Sequence, residues 1–254
     1  MRAPMLVVAA LGLAFAGCGD DEGEASSGAR LQLVVSAAAS MTDALEACSG
    51  AFEDATVRLQ FAGSDELATQ IRQGARPDVY AAANTALPDA LHREGLLSRP
   101  VEFATNELVL AVPSDSDIDS LDDLTRAEVK IAVGSESVPI GAYTRKTLGK
   151  LPAGEEQAIL DNVRSNEPDV KGIVGKLTQD AADAGFVYVT DVNATDGALE
   201  AIELPAELQP TVTYGAGVVD GSEAPAAARR FVDELVDGPC ADALGEAGFG
   251  PAPR

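Results

Sequence analysis

The sequence predicts an α/β fold with largely parallel sheets, and three observations carry that prediction. Short apolar runs rich in β-branched residues alternate with amphipathic segments of helical period from Leu31 onward, the pattern of strands joined through covering helices. The runs pass through small or hydroxyl residues straight into a helix, as in Leu33-Val34-Val35-Ser36-Ala37-Ala38-Ala39-Ser40-Met41. Several helical segments then stop at glycines, namely Gly74, Gly95 and Gly149, where no Cβ opposes the backbone turn that ends a helix.

In order, Leu31–Ser36 reads as a strand on its β-branched apolar run, and Met41–Asp54 as a helix entered at Ser40. Asp43, three residues after Ser40, gives the spacing of a capping box, and a helix cap is the ordinary role of such a serine. Thr56–Phe61 alternates as a strand, Glu66–Gln73 is a helix ending at Gly74, Asp78–Ala82 a short buried strand, and Leu87–Glu94 a helix ending at Gly95. Glu107–Val112 is an apolar strand closed by Pro113, Leu121–Thr125 a short helix, and Lys130–Val133 a strand. Ile140–Leu148 is a helix with Pro139 at its start, followed by helices over Glu155–Asp161 and Val170–Gln179 and a strand over Gly185–Val189. Leu199–Glu203 and Thr211–Val219 are strands, and Pro225–Asp237 and Cys240–Ala247 are helices. Clusters of Gly, Pro and Asp at Val112–Asp123 and around Gln209 and Asp220 mark places for the chain to pass between two lobes.

The N-terminal stretch reads as a targeting segment: Arg2 precedes an apolar run, Met5 to Ala16, that is short for a membrane span. Phe15-Ala16-Gly17-Cys18 resembles a bacterial lipobox with phenylalanine in place of the usual leucine. Cleavage there makes Cys18 a lipidated N-terminus and anchors an extracytoplasmic protein to the cell membrane, in a periplasm or on the outer face. The alternative is an ordinary secretory signal with a chance cysteine. Residues 19–30 are an acidic, Gly/Ser-rich tether. With Cys18 set aside, Cys48 and Cys240 remain, and an oxidising compartment permits either a disulfide between them or two buried thiols.

The chain has 41 acidic and 18 basic residues among 254, a net charge of −23. Such a surface repels nucleic acid, so any anion site must act through local dipoles. There is no G-x-G-x-x-G after a strand, no P-loop and no H-E-x-x-H. His92 is the only histidine, on a charged segment beside Arg93 and Glu94, which excludes a histidine-dependent triad or a zinc cluster. Asp122-Asp123 and Glu155-Glu156 read as solvated acidic faces.

The strand-to-helix junction recurs. Phe61-Ala62-Gly63-Ser64, Val133-Gly134-Ser135 up to Pro139-Ile140-Gly141, and Asn166-Glu167-Pro168-Asp169-Val170 repeat it, while Phe186-Val187-Tyr188 ends a buried strand in a hydroxyl. Ligands of open α/β sheets bind outside the carboxyl ends of strands, where helix starts present free N–H groups. None of these tips carries a lysine or arginine, so the donors are neutral.

Five of these runs, in order, resemble the periplasmic molybdate-binding proteins, the ModA family: Ala37 to Ala44, Phe61 to Ser64, Pro77-Asp78-Val79-Tyr80, Val138 to Gly141 and Gly185 to Asp191. The resemblance extends from about Leu31 to Phe249. It implies a type II periplasmic-binding-protein fold, two α/β lobes with a ligand cleft between them, here 31–107 with 219–254 and 108–218. It implies a non-enzymatic substrate-binding component of an ABC importer, without cofactor, whose ligand is molybdate or tungstate and whose partners are a membrane permease and its cytoplasmic ATPase. The protein is expected to act as a monomer. Carried over by motif, the oxyanion is held by the Ser40 and Ser64 hydroxyls, the Ile140 and Val170 amides and the Tyr188 hydroxyl. The same donors suit sulfate or phosphate, and an exported esterase on such anions is the alternative from another class. Two positions depart from the family: Asp65, which either faces the pocket or caps a helix at Glu66, and Ile140, commonly alanine.

Overall fold

The computed structural model describes residues 30–253. The expected signal segment, the lipobox Cys18 and the tether up to residue 29 lie outside the described residues.

The chain opens with β1 (Gln32–Ala38), a 3-10 turn over Ala39–Met41 and α1 (Thr42–Ser49). β2 (Thr56–Ala62), α2 (Ser64–Arg72), β3 (Val79–Ala82), α3 (Ala86–Arg93) and β4 (Val101–Asn106) follow. Next come β5 (Leu108–Pro113), a 3-10 turn over Asp122–Thr125, β6 (Ile131–Gly134), α4 (Pro139–Leu148) and α5 (Ala153–Asp161). They lead to β7 (Val163–Glu167), α6 (Val170–Thr178), β8 (Ala184–Tyr188), α7 (Val189–Asn193) and β9 (Leu199–Glu203). The chain ends in β10 (Val212–Val218), α8 (Pro225–Val236), α9 (Pro239–Glu246) and the short β11 (Gly250–Pro251).

These strands form two sheets, one of order β11-β4-β10-β3-β1-β2 and one of order β7-β6-β8-β5-β9. Both are mixed, which corrects the expectation of largely parallel sheets. β2, β1 and β3 run parallel, and so do β7, β6 and β8. β10 lies antiparallel to β3 and β4, and β5 antiparallel to β8 and β9. A buried strand reads as the same apolar run in either direction, so pairing sense is invisible to periodicity. β10, buried at every position, was expected in the lobe spanning 108–218; its hydrogen bonds place it in the first sheet. The chain crosses between the sheets at Glu107 and again between Glu203 and Val212, so the cluster at Val112–Asp123 is an excursion within the second sheet's unit.

Three strands escaped the sequence reading: β4, β7 and the two-residue β11. β4 is exposed at its first two residues and β7 shows no buried position, so neither carries a strong apolar run. α1 ends at Ser49, short of the expected Asp54, with Gly50 as its C-cap. Beneath it, Phe52 meets Phe231 of α8 edge to face at 5.4 Å, each buried ring contributing about 1.5–3 kcal/mol. Cys48 of α1 and Cys240 of α9 are joined by a disulfide, with Cα atoms 5.0 Å apart and a sequence separation of 192.

Register brings the strand ends level. Ala38 sits opposite Ala62, Ala37 opposite Ala81, and Gly134 opposite Glu167. The carboxyl ends of three parallel strands in each sheet therefore open onto a common place.

Candidate functional site

That place is a small cavity of about 20 Å³ lined from both sheets by Ser40, Ser64, Ile140, Val170 and Tyr188, together with small residues such as Ala38, Ala62, Gly63 and Ala83. All five residues singled out from sequence meet there. So small a space suits a solute of a few atoms rather than a drug-sized molecule. No lysine or arginine lines it.

Ser40 was expected to cap the first helix; it lies inside the 3-10 turn, and neither that turn nor α1 has a side-chain cap. Its Oγ instead lies 2.9 Å from the Tyr214 hydroxyl of β10. Ser64 opens α2 behind Gly63, and its Oγ accepts a hydrogen bond from the Ala83 N–H at 3.1 Å. A backbone N–H only donates, so the Ser64 proton is left for another acceptor. Its carbonyl accepts from the buried Tyr80 hydroxyl at 2.7 Å, which fixes the turn.

Ile140 and Val170 stand in the first turns of α4 and α6, where N–H groups lack intrahelical acceptors. The bulk of Ile140 fits because Gly134 leaves room: a Cβ at Gly134 would come within 2.6 Å of Ile140 Cγ2. Asp169, unremarked as a lining residue from sequence, caps α6 by accepting from the Gly172 N–H at 2.9 Å. Tyr188 ends β8 with its side chain buried and its hydroxyl without a partner. Burial pushes its phenol well above the ordinary value, reinforced by Tyr214, Tyr143 and Asp191, so it stays protonated and able to donate. Asp65 does not line the cavity; it sits in the first turn of α2 without a cap bond, its Oδ1 buried and unpartnered.

Behind the cavity lies a buried polar cluster that the sequence did not announce. Asn106, the last residue of β4, donates from Nδ2 to Thr190 Oγ1 at 2.9 Å and to the Tyr214 hydroxyl at 3.4 Å. Its Oδ1 accepts from the Glu107 N–H at 2.9 Å. Asp191 accepts from the Tyr188 N–H at 3.3 Å. Burial raises its carboxyl to about 7, although Lys171 Nζ at 3.8 Å and the Tyr188 N–H pull it down. Lys171 of α6 also reaches Asp43 of α1 at 3.0 Å, an ion pair between the two sides of the cavity. Tyr188, Thr190 and Asp191 are neighbours, but Asn106, Lys171 and Tyr214 lie far from them in sequence, and no local spacing links those three to the cluster.

A family model described as bacterial extracellular solute-binding protein matches residues 33–250. The chain is 34% identical over 256 residues to the molybdate-binding protein ModA of Mycobacterium tuberculosis, covering 96% of this chain and 95% of that one. It is 29% identical over 235 residues to the molybdate-binding protein ModA of Escherichia coli, covering 86% of this chain and 88% of that one. The periplasmic molybdate-binding protein of Azotobacter vinelandii shares its fold, with a TM-score of 0.77 over 87% of this chain and 100% of that one at 18% identity. Among the described residues no helix is long and apolar enough to cross a membrane.

Proposed function

The chain belongs to the bacterial extracellular solute-binding proteins, and from that premise we propose that it captures molybdate, and tungstate with it, and delivers the ion to an ABC importer. One observation carries the reading: the two serines, the two first-turn residues and Tyr188 with its unpartnered hydroxyl line one small cavity without a basic side chain. Each hydrogen bond to an ionised oxygen contributes about 1.5–3 kcal/mol. Neutral donors in a dry cavity therefore suffice to hold a dianion against the repulsion of a surface of net charge −23.

In this reading the oxyanion bridges two lobes, one built on the first sheet from 31–107 and the C-terminal part of the chain including β10, the other on the second sheet. Closure brings α2 and the 3-10 turn on one side against α4 and α6 on the other and expels water. The closed monomer then docks on a permease served by a cytoplasmic ATPase, with lipidated Cys18 holding the protein at the membrane. Molybdate and sulfate offer similar acceptor oxygens, so selection between them rests on cavity size.

Calorimetric titration with molybdate, tungstate and sulfate, beside thermal melts, tests this. Ligand at 100 times its dissociation constant adds about 2.7 kcal/mol, roughly 5–10 °C for a domain of this size. Molybdate and tungstate are expected to give that shift and to outcompete sulfate. A shift with sulfate or phosphate alone reassigns the ligand, and no shift with any of them refutes the reading.

A further inference from the structure

We infer that Tyr214 and Asn106 are positioning residues that set the polarity of the site, holding the Ser40 hydroxyl as a donor toward the cavity; the inference rests on the oxyanion reading above. The direction of each bond follows from one group that has no choice. The Glu107 N–H can only donate, and it donates to Asn106 Oδ1. That fixes the Asn106 amide, whose NH2 then faces Thr190 Oγ1 and the Tyr214 hydroxyl. Tyr214 accepts from Asn106 and is left with its own proton and a single further partner, Ser40 Oγ at 2.9 Å. The phenol stays protonated, because burial raises it. Ser40 Oγ therefore accepts from Tyr214, and its own proton is left for the cavity.

The opposite order would consume the Ser40 proton on Tyr214 and present a lone pair to the ligand. On the same side of the cavity, Ser64 reaches the same state by accepting from the Ala83 N–H. Both serines are thus donors by construction, one through a backbone amide and one through a relay of two side chains. A fully ionised tetrahedral oxyanion meets only acceptor needs in such a site. A singly protonated one, such as hydrogen phosphate, also needs an acceptor for its O–H, and a donor held in place opposes it.

The test is a double-mutant cycle read by titration with molybdate and by competition with hydrogen phosphate. Tyr214→Phe keeps the ring, which packs edge to face on Phe103, Tyr188 and Phe249, and removes the hydroxyl. It is expected to weaken molybdate binding about tenfold and to lower the molybdate-to-hydrogen-phosphate affinity ratio. In a Ser40→Ala background it should change molybdate binding by less than about twofold, because the relay then ends on nothing. Equal losses in both backgrounds, equal weakening of both anions, or no loss overturns the inference. Asn106→Asp, run through the same cycle, answers the question if Tyr214→Phe does not fold: a carboxylate accepts from Tyr214 and reverses the relay. A loss for Asn106→Asp that requires Ser40 supports the inference, and a loss independent of Ser40 overturns it. Failure of the unmutated chain to bind any of the oxyanions fells the oxyanion reading and this inference together, whereas normal binding with an additive cycle fells this inference alone.

Discussion

Tyr188 and Asp191 are three residues apart and both fully buried, yet burial acts on them in opposite functional senses. The tyrosine is kept neutral, which preserves a donor. The aspartate is pushed from the ordinary carboxylate range up to about 7, so the folded state holds its proton where the unfolded chain has released it. The fold therefore binds the extra proton between about pH 4 and 7, and stability falls as pH rises through that window until it levels above 7. The charged groups around it are Lys171, Asp43 and Asp169. Asp191→Asn retains an oxygen for the Tyr188 N–H and removes the titration. The melting temperature of the variant minus that of the parent is expected to grow more positive from pH 4.5 to pH 8; a difference that stays flat across that range would refute the assignment.

At the scale of elements, the site depends on how closely helix starts approach one another. Gly63, the N-cap of α2, has ordinary extended, polyproline-like backbone angles of φ −58 and ψ 136, so no conformational strain demands glycine there. A Cβ at Gly63 would instead fall inside van der Waals contact with the Pro168 carbonyl oxygen, on the segment that feeds α6 across the cavity. Overpacking of this kind costs about 1–3 kcal/mol. Gly63→Ala is expected to weaken oxyanion binding roughly 5- to 150-fold while leaving the melt of the unliganded protein nearly unmoved. Unchanged affinity would show that the two sides need not meet this closely. The Lys171–Asp43 pair lies across the same gap, but both side chains are at least one-third exposed, so it adds about 1 kcal/mol or less.

At the scale of the whole molecule, the disulfide between Cys48 and Cys240 ties the first helix to the last across 192 residues. In the chain-entropy model a loop of that length stabilises by up to about 5 kcal/mol. Reduction under native conditions is expected to lower the melting temperature by roughly 10 °C or more and to expose two titratable thiols. An unmoved midpoint after complete reduction would count against that contribution. The bridge lies on α1 and α9, away from the cavity lining, so the reduced protein should keep its oxyanion selectivity.

The sequence by itself determined the alternation of strands and helices, picked out the five residues that the structure brings to one cavity, and set the acidic surface that leaves an anion site to local dipoles. Each is a local property: a strand ending in a small residue, a helix starting on a proline, a hydroxyl at a junction. Ser40 shows where that reading stops. Its spacing to Asp43 spelled a cap, because a cap needs only three residues of chain, while its actual partner Tyr214 lies 174 residues away. The same limit hid β4 and β7, which carry no strong apolar run of their own, and the return of β10 to the first sheet, since pairing partner and direction leave no periodic mark. Only the tertiary structure decided which strands pair, which helix starts face one another and which way the protons point behind the cavity. Those are contacts between distant segments, and they exist only once the chain has folded.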